Sequence, residues 1–280
     1  MRVFISADME GISGIATPAD VVSGESAYGR GQELMHGDVN AAIAGALAGG
    51  AETIVVNDSH SSMTNLERND LHEAARLIRG NTKPRSMMQG LEADHDVAMF
   101  VGYHAKAGTA GAVLNHTFIG HELVDVRING ESAGEMGWNA RLANALEVPV
   151  GLVTGDDKTT AEATVELGDA ETITVKDGID RFTADCKPPA ETTAAIHDAA
   201  QRAVERAAAG EFAQPAIDEP ITIEAEWSAT NHAHRAGQLP GIERIADRAT
   251  QLTADTYPTA YERTVAMFRA GADARNEFYG

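Results

Sequence analysis

Four apolar runs along the chain end abruptly in side chains able to bind or catalyse. Residues 3–7 run into Asp8, Glu10 and a turn at Gly11; residues 53–56 end in Asn57-Asp58-Ser59-His60; residues 97–103 end in His104; residues 150–154 end in Gly155-Asp156-Asp157. Near-continuous apolar runs alternating with helical segments predict parallel strands buried on both faces, and the crevice of such a sheet lies beyond the carboxyl ends of its strands. The pattern therefore delivers carboxylates and imidazoles to one edge.

Between the runs, a Gly- and Ser-rich loop to about Gly31 leads into a helix ending at Ala48. That helix turns Leu34, Val39, Ile43, Ala46 and Leu47 toward the sheet and is stopped by Gly49-Gly50. A second helix is expected over residues 71–79, with Gly80 as its stop. Residues 105–123 read as a long loop, and residues 124–128 and 131–133 as a hairpin, because the intervening Asn129-Gly130 favours a type I′ turn. Helices follow over 159–167 and 189–209 with a strand at 171–175 between them. Two prolines in an acidic run mark residues 214–220 as a connector. Beyond it the pattern predicts a strand at 221–226, a loop through Pro240-Gly241, a strand near 250–254 and a helix at 259–269. The expected fold is α/β: a mostly parallel central sheet flanked by helices over residues 1–215, and a smaller α+β C-terminal subdomain over 216–280.

Composition narrows the class. A chain of 280 residues with 43% hydrophobic content builds its own core. No stretch approaches the ~20 apolar residues of a membrane helix, so no membrane partner is expected. The formal charge of −20 comes from 42 acidic against 22 basic residues, 17 Arg and only 5 Lys. Such a balance excludes nucleic acid as a partner, since phosphate binding needs a basic surface. It also predicts a halophilic surface, because screening shortens the Debye length to ~3 Å at 1 M salt and relieves self-repulsion. The chain starts directly in a strand, without a basic and then apolar leader, so a cytoplasmic location is expected. Cys186, the sole cysteine, cannot form an internal disulfide and is expected as a small buried hydrophobe.

Asp8 and Glu10, two apart, share a side where the backbone stays extended. Alone, such a pair reads equally well as a helix cap or a solvated edge. His60 and His104 at the ends of two further strands shift the balance toward a divalent metal such as zinc, for which carboxylate oxygen and imidazole nitrogen are suitable donors. Glu135 and Asn139 lie four apart and so share one face of a helix.

Five motifs in order resemble one family: Ser6-Ala7-Asp8-Met9-Glu10-Gly11-Ile12-Ser13-Gly14, Val56-Asn57-Asp58-Ser59-His60-Ser61, Gly102-Tyr103-His104-Ala105, Asn115-His116-Thr117 and Gly134-Glu135-Met136-Gly137-Trp138-Asn139-Ala140. Together they make the chain similar to the zinc-dependent D-aminopeptidases of peptidase family M55. The resemblance implies two zinc ions, or other divalent metals, per subunit, held by Asp8, Glu10, His60, His104 and Glu135, with His116 as the catalytic histidine. Five ligands serve two metals when one carboxylate bridges, and Asp8 is the expected bridge. Lys106 stands where the family has arginine, which keeps the charge but not the planar donor fork. The resemblance further implies a short peptide or aminoacyl amide as substrate and a ring-shaped homo-oligomer, a decamer. Other readings remain open: a two-metal amidohydrolase or phosphoesterase of another specificity, or a non-catalytic, metal-dependent peptide-binding protein.

Other features carry less. Asn231-His232-Ala233-His234 follows a strand into a loop, where a surface or substrate-rim role is expected. Residues 151–160 lack the Gly-Lys pair of a phosphate loop. His36, His72, His95, His121 and His197 are expected to be solvated.

Overall fold

The computed structural model describes residues 1–213 and 217–276. In chain order the elements are β1 (Arg2–Ala7), α1 (Pro18–Val21), α2 (Tyr28–Ala48), β2 (Thr53–Asp58), β3 (Ala75–Ile78), β4 (Val97–Val101), β5 (Leu123–Ile128), β6 (Glu131–Ser132), α3 (Glu135–Ala145), β7 (Val150–Asp156), α4 (Asp157–Leu167), β8 (Glu171–Asp180), β9 (Thr183–Cys186), α5 (Pro189–Ala208), β10 (Ile221–Trp227), α6 (Thr230–Ala236), β11 (Ile242–Ala246), β12 (Ala249–Ala254) and α7 (Tyr257–Ala272). A seven-stranded sheet runs β3-β2-β1-β4-β7-β8-β9, parallel throughout except for β9, which returns antiparallel along β8. The expected α/β class with a mostly parallel sheet is what the chain adopts.

Both faces of that sheet are buried, and the period of two along each strand sorts the core into halves. Val3, Ile5 and Ala7 of β1, with Val97, Met99 and Val101 of β4, pack against Val39, Ile43 and Ala46 of α2 and Ile196 and Ala203 of α5. Phe4, Ala98 and Phe100 face the other way, onto Trp138 of α3 and Tyr261 and Phe268 of α7. Beyond these helices lies the second sheet, antiparallel in the order β11-β12-β10-β5-β6. It draws β5 and β6 from before residue 215 and β10 to β12 from after it. The expected boundary itself, and residues 214–216 of the expected connector, lie outside the described residues. The hairpin at Asn129-Gly130 forms as expected, with φ of +50° and +88°, the pair of positive values that a type I′ turn requires.

Several expectations need correction. Residues 71–79 form no helix: Leu71, Ala75 and Ile78 have helical spacing, but the segment pairs parallel with β2 as the short edge strand β3. The strand at 171–175 continues to Asp180 and turns back through β9. Cys186, at the end of that edge strand, is exposed instead of buried. His36 and His95 are buried, His36 because both ring nitrogens find backbone partners and His95 because its ring packs edge-on to Phe4. The run 231–234 lies in helix α6, where His232 is buried on the Gly271 carbonyl. No helix among the described residues is long and apolar enough to cross a membrane.

Candidate metal centre

The carboxyl ends of β1, β2 and β4 place Asp8 and Glu10, His60, and His104 respectively at one edge of the parallel sheet, and Glu135 opens α3 beside them. His60 Nδ1 lies 3.0 Å from Glu10 Oε2 and 3.4 Å from Asp8 Oδ1. On the other side, His104 Nε2 lies 3.5 Å from Asp8 Oδ2 and 3.3 Å from Glu135 Oε1. Asp8 thus presents one oxygen to each histidine. His116, in the loop after β4, stacks on His104 with ring centroids 4.1 Å apart and brings Nε2 to 3.6 Å from Glu135 Oε1. All six residues singled out in the sequence therefore meet, at the floor of a cleft of about 1070 Å³ walled in part by Phe118 and Phe268.

The donor set fits divalent metal on three grounds. First, Asp8 Oδ2 and His104 Nε2 are buried without a hydrogen-bond partner, which is costly for polar atoms unless a ligand completes them. Second, ligand atoms of Asp8, Glu10 and His104 lie within 4.8 Å of one another, as do those of His104, His116 and Glu135. Third, each imidazole has one nitrogen tied to a backbone carbonyl: His60 Nε2 to Val21 at 3.0 Å, His104 Nδ1 to Ala105 at 3.1 Å and His116 Nδ1 to Leu114 at 2.9 Å. Such an arrangement fixes the tautomer and turns the other nitrogen's lone pair into the site, as metal-binding histidines require.

Electrostatics agree. Burial and the neighbouring Glu10 charge push the Asp8 carboxyl up to about 7. Glu10 and Glu135 are nonetheless held below the usual carboxylate range, burial being outweighed by His60 and by His104 respectively. Burial disfavours protons on His60 and His104, but Glu10 and Asp8 around the first, and Glu135 and Asp8 around the second, hold both well above the ordinary imidazole value. Those protons are what a divalent cation displaces. His116 differs: burial and the His104 charge hold it below the ordinary imidazole value.

Two glycines let the loops converge. A Cβ on Gly11 would sit 1.8 Å from the Tyr103 carbonyl oxygen, and one on Gly102, whose φ is +75°, would sit 2.3 Å from the Asp8 carbonyl oxygen. Gly102→Ala is expected to destabilise the protein by at least about 2 kcal/mol, through positive-φ strain plus that clash, and to lower zinc content. Denaturant unfolding and metal analysis check this; unchanged values for both would mean that the loops tolerate wider separation.

Several supporting residues escaped the sequence reading. Lys176 of β8 is fully buried, and its Nζ donates to the carbonyls of Glu10, Ile12 and Ile15. Lys83 is buried too, donating to Asn57 Oδ1 and the Asp58 carbonyl, while the Asp58 carboxylate accepts from the amides of Asn65 and Leu66 and closes the loop that carries His60. Beneath the site, Tyr103 OH joins Ser6 and Asn139, and Asn139 accepts from Tyr261 of α7. Ser6, Tyr103 and Asn139 all stand in the motifs quoted from the sequence, but only the face shared by Glu135 and Asn139 hinted at how they meet. Asp156, expected among the strand-end carboxylates, instead caps α4 through Thr159 and accepts from the Val113 amide. Lys106 reaches the Ser132 carbonyl just ahead of Glu135.

The profile of peptidase family M55, described as D-aminopeptidase, matches residues 1–266. The chain is 35% identical over 268 residues to a D-aminopeptidase of Bacillus subtilis (strain 168), covering 95% of this chain and 96% of that protein. Its fold superposes with a TM-score of 0.91 and 33% identity on the structure described as the Zn-dependent D-aminopeptidase DppA from Bacillus subtilis, a self-compartmentalizing protease, covering 99% of this chain and all of that one. The chain belongs to the M55 family of D-aminopeptidases.

Proposed function

We propose that the protein is a dinuclear zinc aminopeptidase that releases N-terminal D-amino acids from short peptides or aminoacyl amides. The observation that carries this reading is the Asp8 carboxylate, one oxygen toward His60 and the other toward His104, with Glu10 and Glu135 flanking the two halves. Asp8, Glu10 and His60 would hold one ion, and Asp8, His104 and Glu135 the other. Bound there, two zinc ions would supply Lewis acidity at the scissile carbonyl and a water of lowered pKa. His116 supplies the proton traffic. Its Nδ1 is committed to the Leu114 carbonyl, so Nε2 takes a proton from the attacking water and returns it to the leaving amine. The phenyl rings of Phe118 and Phe268 give the cleft wall an apolar face beside that step.

A panel of D- and L-aminoacyl amides, short peptides and a phosphomonoester, run with the zinc-loaded protein, tests the reading. It predicts turnover of D-aminoacyl substrates and none of the phosphoester. Turnover of the phosphoester alone would favour another two-metal hydrolase, and binding without turnover a peptide-binding protein.

We further propose a homo-oligomer, a decamer by family resemblance. Exposed apolar side chains at the β8–β9 turn, Ile179 and Phe182, support it, Phe182 lining the cleft as well. Light scattering should give a mass of several subunits, whereas a monomer at micromolar concentration would contradict the assembly. The free, exposed thiol of Cys186 suits a reducing, cytoplasmic setting.

The charge of −20 supports a halophilic surface. Screening relieves repulsion among exposed carboxylates, so the thermal midpoint should rise steadily from low to molar salt. A flat or falling midpoint would mark an ordinary acidic protein and leave the catalytic reading untouched.

A further inference from the structure

We infer that Lys176 is a positioning residue for one half of the centre: a built-in cation that holds the Glu10 loop in its ligating shape before metal arrives. The inference rests on the two-metal reading above and concerns only the half formed by Glu10 and His60.

Lys176 stands midway along β8, opposite Asp156 of β7, and is fully buried. Its Nζ lies 2.6 Å from the Glu10 carbonyl oxygen, 2.9 Å from that of Ile12 and 2.6 Å from that of Ile15. An ammonium has three N–H donors, and all three are consumed by one hexapeptide stretch of backbone. Three carbonyl oxygens converging on a point repel one another unless a cation sits between them. Lys176 holds the main-chain carbonyl of Glu10, while the carboxylate of the same residue lies 3.0 Å from His60 Nδ1. The loop is pinned independently at its next turn, where the Ser13 amide donates to Asp38.

The chain's use of lysine strengthens the case. Only 5 lysines occur among 280 residues, yet Lys176 and Lys83 are both buried beneath ligand-bearing loops, those of Glu10 and His60. A sequence that has nearly emptied its surface of lysine has kept it where an ammonium, and not the planar guanidinium of arginine, fits a cluster of carbonyls.

The test is a double-variant cycle in zinc affinity, read by competition with a chelating dye, on Lys176→Met, Glu10→Gln and their combination. Lys176→Met should weaken the more labile zinc ~10–100-fold, as loss of a ligand's support does, while the other zinc binds as in the wild type. The combined variant should bind no more weakly than Glu10→Gln alone, because both changes remove the same ligand's contribution. Wild-type affinity in Lys176→Met, or multiplicative losses in the combination, would overturn the inference. Hydrogen exchange on the wild-type protein decides the matter even where Lys176→Met does not fold. After zinc is stripped, the amides of Gly11, Ile12 and Ile15 should stay protected; exchange that rises to loop-like rates on stripping would show that metal, not Lys176, shapes the loop. The wild-type zinc count reads the two-metal assignment separately, so failure of one is not mistaken for failure of the other.

Discussion

Asp8→Ala should leave the protein without bound zinc and reduce its peptidase activity to that of the metal-stripped wild type. Asp8 is the one carboxylate with an oxygen facing each half, 3.4 Å from His60 and 3.5 Å from His104. Its removal takes a donor from both ions at once and leaves Glu10 with His60, and Glu135 with His104, unable to close either set. Glu10→Gln, by comparison, should affect only the half that contains His60. Fold loss is not the expected route: the Asp8 side chain makes one backbone hydrogen bond, to the Met9 amide, worth about 1 kcal/mol net. Metal analysis of the dialysed variant reads the result, and one zinc retained at full affinity would make Asp8 a ligand to a single ion.

His116→Ala should lower kcat by ~10²–10⁴ while zinc content and KM stay near normal. The side chain reaches Glu135 and stacks on His104, yet its Nδ1 is committed to Leu114, which leaves Nε2 to accept and return a proton. His104→Ala should behave differently, losing metal and rate together, because His104 is completely enclosed between Asp8 and Glu135. Wild-type turnover of dipeptides by His116→Ala would remove His116 from the chemistry. Lys106 and His121 would then be the next candidates, His121 because it also lines the cleft.

The strand ends that build the site were legible because they combine two local signals, an apolar run and a polar terminus, that need no knowledge of the rest of the chain. The type I′ turn at Asn129-Gly130 and helices α4 and α5 were legible for the same reason. Edge strand β3 was not. Its four residues satisfy helical spacing, and only pairing with β2, some twenty residues upstream, decides otherwise. Lys176 and Lys83 were invisible because a buried lysine is exceptional and its carbonyl partners lie far away in sequence, 161 to 166 residues for Lys176. Cys186 shows the converse: a residue type that is usually buried came out exposed because the strand that carries it is the outermost of its sheet.

The central claim is that two metals share the Asp8 carboxylate, and anomalous diffraction at the zinc absorption edge from crystals of the zinc-loaded protein tests it most directly. Two peaks roughly 3.5–4 Å apart, one beside Glu10 and His60 and the other beside His104 and Glu135, with Asp8 between them, are the expected result. A single peak, or two peaks with Asp8 touching only one, would contradict it.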